Sequence, residues 1–293
     1  GGTIAFTVKE NNWLGEGKRV AFDVELNEES LRGTINYTNP NYDFLGNSLN
    51  YSLGSVSSDK PNQGYENTVF TGGIGTTFEQ YKDIYARLGL NLTFDDLKTD
   101  NTASDSMKSQ SGKFTELAAN YGFSYDKRNR VFQPTDGNIT GFDQSFPLYA
   151  DKAFISNTIT SSTYRTLSEN VIGAGKFYVS SVNGLNDEDV RISKRKTMSN
   201  KRLRGFRNGK VGPKDGQDFI GGNYAASFNL EANLPNLLPD STKTDIGLFF
   251  DVGNVWGVDY NDSIDDSNVL RSSFGAAASW TSPIGPMTFI ISQ

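Results

Sequence analysis

The strongest constraint on the fold is a period-two alternation of apolar and polar residues that recurs along most of the chain. The cleanest example runs from Ile84 to Phe94, where leucine and aromatic positions alternate with Arg87, Asn91 and small residues. Side chains two residues apart lie on the same face of a strand, so the pattern predicts strands with one apolar and one polar face. No apolar stretch approaches the ~20 residues that a membrane-spanning helix requires.

Fourteen alternating segments are predicted as strands. They lie near 3–10, 20–26, 31–37, 49–53, 65–78, 84–94, 117–125, 138–147, 152–166, 171–182, 221–234, 244–256, 269–281 and 286–293. Short turns marked by LGEGK, LGN and PTDG follow alternate strands, and SPIGP at 282–286 is interpreted as a plain turn. The other connections are longer and more polar, at 57–64, 97–112, 183–220 and 257–268. Short turns at one end and long loops at the other are typical of antiparallel, up-and-down outer-membrane β-barrels.

Composition favours an all-β transmembrane barrel over a disordered chain. Aromatic residues make up 12% of the chain and glycines number 30, while hydrophobic residues reach only 36%. Disordered chains lack aromatic residues, and only every second residue of a barrel strand faces lipid. The alternative, a soluble β-sandwich, would show a wider apolar face and shorter loops. Because the chain lacks a signal peptide and begins at Gly1 without Met, we expect a processed or trimmed product.

Enzyme and metal chemistry find little support in the sequence. The chain contains neither cysteine nor histidine, which excludes disulfides and thiolate metal sites and removes the commonest general base. Common nucleotide-binding and nucleophile motifs are missing, so we predict no catalytic residue, no metal site and no cofactor. Loop 257–268 lacks the central glycine and spacing of a calcium-binding EF-hand, so we expect its acidic side chains to be solvated. These are Asp259, Asp262, Asp265 and Asp266.

A basic island interrupts this chain, whose net charge is -6. Residues 191–214 contain ten Lys and Arg and no Asp or Glu, and their centre is the motif Arg204, Gly205 and Phe206. The guanidinium group can bind a carboxylate with two parallel hydrogen bonds, and the glycine lets the backbone approach a wall closely. The alternative is an exposed loop that touches lipid A phosphates. We expect Arg204 to point inward and Lys194, Arg195 and Lys196 to be exposed. No aromatic stripe accompanies the island, and we predict no nucleic-acid partner.

Two carboxylates on the following strands are candidate partners for Arg204. Glu231 shares its strand face with Ser227 and Asn229, opposite to Phe228 and Leu230, and Asp251 alternates with Phe250 in the same way. A carboxylate on the lipid face of a barrel is costly, so both acids should point into the lumen. The alternative is a solvated lumen wall without a specific partner. The same parity predicts that Leu88, Leu90, Leu92, Tyr121, Phe123, Phe228, Leu230 and Phe250 face lipid, and that Asn91, Asn120, Ser227 and Asn229 face the lumen.

Six motifs in order resemble the barrel of the BamA family, the bacterial outer-membrane protein assembly factors of the surface-antigen superfamily. They are NNWLGEGK at 11–18, TNPNYDFLGNSL at 38–49, RLRGF at 202–206, GGNYAASFNLEANLP at 221–235, FFDVGNVW at 249–256 and WTSPIGPMTF at 280–289. The motif glycines are Gly221, Gly222 and Gly253. The resemblance covers the whole chain and implies a barrel domain over 1–293, with 183–220 as the family's sixth extracellular loop, folded into the lumen with its RGF tip on the inner wall.

The resemblance also implies a register and a function. The family barrel has sixteen strands, and alignment by motif places residue 1 at the second strand and Gln293 at the end of the fifteenth, so we expect the first and last strands and the periplasmic POTRA domains to lie outside this chain. The implied function is an insertase, without a chemical step, that folds β-barrel proteins into the outer membrane of Gram-negative bacteria through a weak seam. Implied partners are accessory lipoproteins, unfolded outer-membrane proteins, lipopolysaccharide and phospholipid. The alternatives are a related two-partner secretion transporter or TamA, and a passive porin.

Overall fold

Fourteen strands form one antiparallel sheet in which neighbours along the chain pair with each other. The computed structural model describes residues 4–259, 264–266, 268–283 and 285–293. The strands of the sheet are β1 (Ile4–Trp13), β2 (Lys18–Leu26), β3 (Ser30–Asn39), β4 (Ser48–Lys60), β5 (Tyr65–Tyr81), β6 (Ile84–Thr99), β7 (Gly112–Asp126), β8 (Gly137–Ala150), β9 (Phe154–Ser168), β10 (Val171–Gly184), β13 (Tyr224–Leu234), β14 (Thr244–Trp256), β15 (Arg271–Ser282) and β16 (Gly285–Ser292).

The elements outside the sheet are short. The helix α1 covers Asp105–Ser109, and the pair β11 (Lys214–Asp215) and β12 (Asp218–Phe219) lies within the connection between β10 and β13. Two 3-10 turns cover Ile192–Lys194 and Asp240–Thr242. The predicted all-β architecture and the number of strands in the sheet are therefore confirmed. Within the described residues, β1 pairs only with β2 and β16 only with β15, so the sheet has two open edges. No helix in the described ranges is long and apolar enough to cross a membrane.

The two faces of the sheet follow the predicted parity. Seven of the eight residues expected on the lipid side are exposed: Leu88, Leu90, Leu92, Phe123, Phe228, Leu230 and Phe250. The eighth, Tyr121, lies on the same face but is half-buried between Phe123 and Phe146, with ring centroids 6.2 Å from each. On the other face, Asn91 and Asn120 line an interior cavity of about 390 Å³, and Ser227 and Asn229 are buried. A sheet that is apolar outside and polar inside matches a barrel wall between lipid and water.

The connections separate into two rims. The turn rim comprises 14–17, 40–47, 82–83, 127–136, 169–170, 235–243 and 283, and the loop rim comprises 27–29, 61–64, 100–111, 151–153, 185–223 and the described residues 257–259, 264–266 and 268–270. The prediction that short and long connections alternate is only partly correct. Half of the polar stretch 57–64 is strand, because β4 continues to Lys60, which pairs with Tyr65. The connections 27–29 and 151–153 are short although they lie on the loop rim.

The PTDG sequence ends a longer structure than the predicted tight turn. The connection 127–136 extends from the barrel because the Asn129 side chain accepts hydrogen bonds from the backbone N–H groups of Thr135 and Asp136, at 3.1 and 3.2 Å. Asparagine side chains that bond nearby backbone form stable turns of this kind. Polarity alone does not distinguish a strand end outside the lipid from a loop, which explains the error at 57–64. The PTDG turn signal does not reveal the Asn129 contacts upstream of it, which explains the second error.

Charged substitutions on the two faces of β6 should have opposite consequences. Leu90→Arg places a cation against lipid and should lower the free energy of unfolding by about 2–4 kcal/mol. Asn91→Arg, its neighbour, points into the wide interior and should change that free energy little. Urea titrations of the barrel in liposomes, followed by tryptophan fluorescence, measure both. Equal effects at the two positions would show that the assigned register is wrong.

Candidate functional site: the loop inside the barrel

The connection 185–223, here called the inner loop, folds into the space enclosed by the sheet. Its side chains Val190, Leu203 and Val211 have almost no exposed surface, and its polar groups bond to strands on several sides of the barrel. The boundaries differ slightly from the predicted 183–220, because β10 continues to Gly184 and β13 begins at Tyr224. The inner loop therefore occupies the lumen rather than the space above the rim.

The tip of the inner loop is fixed by a buried ion pair. The guanidinium of Arg204 donates from Nε to Oδ2 of Asp251 at 2.8 Å and from Nη2 to Oδ1 at 2.6 Å. The backbone N–H of Arg204 donates to the same carboxylate at 3.0 Å, and Glu231 Oε1 lies 3.2 Å from Nη2. The Asp251 side chain is 0% exposed. Both acids predicted from strand parity thus contact Arg204, and the fork geometry is the strong, bidentate form of such a pair.

Several residues of this cluster were not predicted. Asn229 Nδ2 donates to the Arg202 carbonyl and to Asp251 Oδ1, both at 2.7 Å, and Lys176 Nζ lies 2.9 Å from Glu231 Oε2. The Ser273 hydroxyl donates to the Arg204 carbonyl. Asn229 was assigned to the lumen face, but parity cannot show which lumen residues meet the loop. The tip is therefore tied directly to β13, β14 and β15, and Lys176 of β10 supports Glu231 from the neighbouring strand.

The Gly205 position requires glycine on two grounds. Its φ is +89°, in the left-handed region that side-chain-bearing residues rarely adopt, and a Cβ there would lie 2.5 Å from the Ser292 Oγ of β16. The next residue, Phe206, packs against a buried apolar cluster. The members of this cluster are Met198, Leu203, Val211, Ala225 and Val255. The RGF motif therefore combines a charge contact, a close backbone approach and an apolar contact.

The other motif glycines lie at close backbone approaches within the inner loop, within the wall and between the two. A Cβ at Gly222 would clash with the Trp256 carbonyl, and one at Gly221 would lie 2.7 Å from the Lys196 carbonyl. At Gly253 a Cβ would meet the Ala226 carbonyl at 2.9 Å. Each of these contacts is to backbone, which cannot move aside as a flexible side chain can. The motif glycines thus allow close packing around the base of the inner loop.

The prediction that Lys194, Arg195 and Lys196 are exposed is wrong. Lys194 Nζ lies 2.5 Å from Glu116, Arg195 Nη2 lies 3.1 Å from Asp259, and Lys196 Nζ donates to Ser156 Oγ at 2.6 Å. The side chain of Arg195 is 0% exposed. These cations turn inward because residues remote in sequence supply their partners, which no local pattern shows. The pKa of Lys196 is lowered below its ordinary value, mainly by burial and to a smaller extent by the nearby charge of Lys194.

The expectation of a solvated acidic loop at 257–268 is also wrong for Asp259. Its carboxylate accepts hydrogen bonds from the Val190 backbone N–H at 3.0 Å and from Asn223 Nδ2 at 3.1 Å, besides its pair with Arg195. Asp265 pairs with Lys214 through backbone, Asp266 accepts from the Gly257 N–H at 3.1 Å, and Asp262 lies outside the described residues. Asp259 therefore holds both ends of the inner loop together.

A second buried ion pair anchors the inner loop on the opposite wall. Arg191 Nε lies 3.1 Å from Asp95 Oδ2 on β6, and its guanidinium carbon lies 3.4 Å from the centre of the Phe114 ring. Nearer the β11–β12 hairpin, Asp218 accepts from Tyr65 OH at 2.5 Å and pairs with Lys60 at 3.2 Å. The inner loop is thus attached at both sides of the lumen and near its rim. The inner loop is therefore a plug of the lumen that ion pairs hold in place. No cluster of three or more potential metal ligands occurs among the described residues.

Comparison with known proteins now assigns the class and the family. The Omp85 superfamily domain matches residues 12–292, and the chain belongs to the Omp85 superfamily. It is 26% identical over 299 residues to the outer membrane protein assembly factor BamA of Neorickettsia risticii, covering 96% of this chain and 39% of that protein. It is 25% identical over 334 residues to BamA of Neisseria meningitidis serogroup B, covering 96% and 41%. The chain thus spans about two fifths of the length of these curated relatives.

Solved structures share the fold. BamA from Haemophilus ducreyi lacking POTRA domains 1–3 superposes with a TM-score of 0.79 at 22% identity, covering 99% of this chain and 63% of that one. CdiB from Acinetobacter baumannii gives 0.61 at 12% identity, covering 99% and 56%. These comparisons confirm the resemblance seen in the sequence, and the chain is an outer-membrane β-barrel domain of a Gram-negative bacterium.

Removing the tip cation should release the inner loop. Arg204→Ala leaves the buried Asp251 carboxylate without its partner, which typically costs about 3–5 kcal/mol. We expect faster hydrogen exchange and faster proteolytic cleavage across 198–211, with an intermediate effect for Arg204→Lys, which retains charge but loses the bidentate fork. The double variant Arg204→Ala/Asp251→Ala should be less affected than the single one. Wild-type protection in Arg204→Ala would contradict the assignment.

Removing the Asp259 carboxylate should loosen the first part of the inner loop and leave its tip in place. Asp259→Ala removes the partner of Arg195 and of the Val190 N–H, so hydrogen exchange should accelerate at 190–196 while 202–206 stays protected. Asp266→Ala, in the same acidic loop, serves as the matched control because Asp266 contacts the Gly257 backbone and not the inner loop. Equal loosening of both segments would mean that the inner loop unfolds as one unit.

Proposed function

We propose that this chain is the barrel domain of an outer-membrane protein assembly factor, an insertase that works without a chemical step. The observation that carries the proposal is the inner loop, whose RGF tip is ion-paired to the inner wall of a barrel in the family of the BamA relatives. A passive porin is less well supported, because a plug fixed by several buried charges obstructs the lumen that a porin needs open.

The physical logic of insertion rests on unpaired backbone. A nascent barrel reaches the membrane with strand edges whose amide groups find no water in lipid, and that state is costly. A barrel with a weak seam can offer its own strand edge as a template, so that the client pairs strand by strand. The tip contacts β13, β14 and β15 and approaches Ser292 on β16, so its docking can influence the shape of this part of the wall. Accessory lipoproteins, unfolded barrel proteins, lipopolysaccharide and phospholipid are the partners that we propose.

A reconstitution experiment tests the proposal. The full-length protein, with its accessory lipoproteins, is placed in liposomes and given an eight-stranded outer-membrane barrel protein unfolded in urea. We expect the heat-modifiable, folded client band to appear faster than with empty liposomes. Arg204→Ala should slow the reaction about tenfold or more, because a loss of about 3–5 kcal/mol from the tip-bound state leaves most inner loops undocked. Asp266→Ala should insert clients at the wild-type rate.

The alternative outcomes separate the rival functions. Export of a soluble passenger polypeptide into the liposome interior, without insertion of barrels, would favour a secretion barrel of the same superfamily. Steady ion conductance of the wild-type protein in planar bilayers, unchanged in Arg204→Ala, would favour a porin. Either result, together with insertion no faster than in empty liposomes, would contradict the proposal.

A further inference from the structure

The connection 127–136, here called the finger, projects from the turn rim and reaches across the mouth of the barrel. Gln133 Nε2 near its tip donates to Asp245 Oδ2 at 3.2 Å. The finger joins β7 and β8, whereas Asp245 belongs to β14, with β9, β10 and β13 between them in the sheet. Asp245 shares its strand face with Asp251, so the contact lies on the lumen side. The finger therefore spans the opening as a chord and does not point outward into the membrane.

The finger is held in one conformation. Asn129 bonds the backbone of its second half, and Arg130 Nε donates to the Gln133 carbonyl at 2.8 Å. Gln133 itself has a φ of +46°, an uncommon conformation for a residue with a side chain, and this conformation accompanies the contact with Asp245. Thr166 Oγ1 fastens the base of the finger by donating to Asp136 at 3.0 Å. A rigid projection loses little entropy when it binds a partner.

The finger carries an exposed apolar pair directly before Gln133, the residue that contacts the opposite wall. Val131 is 76% exposed and Phe132 is 79% exposed. Behind them, Asp245 also lines a cavity of about 510 Å³ between the inner-loop tip and the wall. The other cavity residues include Lys201, Glu231, Ser279 and Thr288, which offer charges of both signs and hydroxyl groups. The mouth thus combines an apolar contact with a polar cavity directly beyond it.

We propose that Val131 and Phe132 form a docking site for an unfolded, amphipathic polypeptide that enters the barrel from the turn rim. A segment with alternating apolar and polar residues satisfies both surfaces at once. Its apolar side chains contact the finger, while its backbone and polar side chains meet Lys201, Asp245 and the hydroxyls of the cavity. Rigid aromatic anchors at a mouth are typical of binding sites in which a few residues supply most of the affinity. This inference rests on the proposed function, because it names a contact for the client.

Photocrosslinking in the full-length protein tests the docking site. A benzophenone amino acid replaces Phe132 in one variant and Phe44 in the other, in liposomes, with the urea-unfolded eight-stranded barrel as probe. Phe44 is the matched control, since it is 97% exposed on the same rim, in the connection 40–47, whose side-chain hydrogen bonds among the described residues stay within that connection. We expect client adducts chiefly from position 132 and none with the folded client. Equal yields at both positions, or adducts at 132 only with lipid or with the protein itself, would overturn the inference.

Insertion kinetics give an independent result. Phe132→Ser should raise the client concentration needed for half-maximal insertion about tenfold, as for the loss of one apolar anchor, and leave the maximal rate unchanged. Phe44→Ser should change neither, and Gln133→Gly should lower the adduct yield at 132 because the finger is no longer held. If the client crosslinks at position 132 but the wild-type protein does not insert it, the docking site is supported and the insertase function is refuted. If Phe132→Ser inserts the client with an unchanged half-maximal concentration, the docking site is refuted and the insertase function is supported.

Discussion

A carboxylate with no exposed surface on the inner wall of a barrel must have a cationic partner, and Asp251 obtains it from the inner loop. Removing such a charge from water is costly unless a fixed cation and hydrogen bonds replace the solvent. Arg204 supplies both in bidentate form, and Asn229 adds a further donor. The left-handed Gly205, the apolar contacts of Phe206 and the Ser273 bond all follow from the need to hold this guanidinium against the wall.

Much of the fold could be predicted because a barrel wall has a simple pattern. Period-two alternation places each side chain toward lipid or lumen, and the cost of a carboxylate in lipid sends Glu231 and Asp251 inward. The identity of the partner also followed, since a single motif in a basic island offered the required cation. Family resemblance added the position of the loop, which periodicity alone could not supply.

Other contacts could not be predicted from the sequence, because they join residues that no local pattern connects. Arg195 was predicted to be exposed and is buried against Asp259, while Asp259 was predicted to be solvated. Each error has the same origin, since a cation in a basic island and an acid in an acidic loop look solvated until the fold brings them together. The finger was missed for a related reason: the PTDG signal gave a turn, but Asn129 makes the connection a rigid projection.

The ion pairs of the inner loop also determine when it can fold. Arg191 lies 96 residues from Asp95 in sequence, Arg204 lies 47 from Asp251, and Lys60 lies 158 from Asp218. Contacts of such separation form slowly, because chain entropy must be lost before they stabilise anything. The hairpins of the wall are local and can form first, so the carboxylates are assembled before the loop has a place to bind. The inner loop then becomes a marker of maturation, whose docking reports that strands from both halves of the wall have reached their final positions.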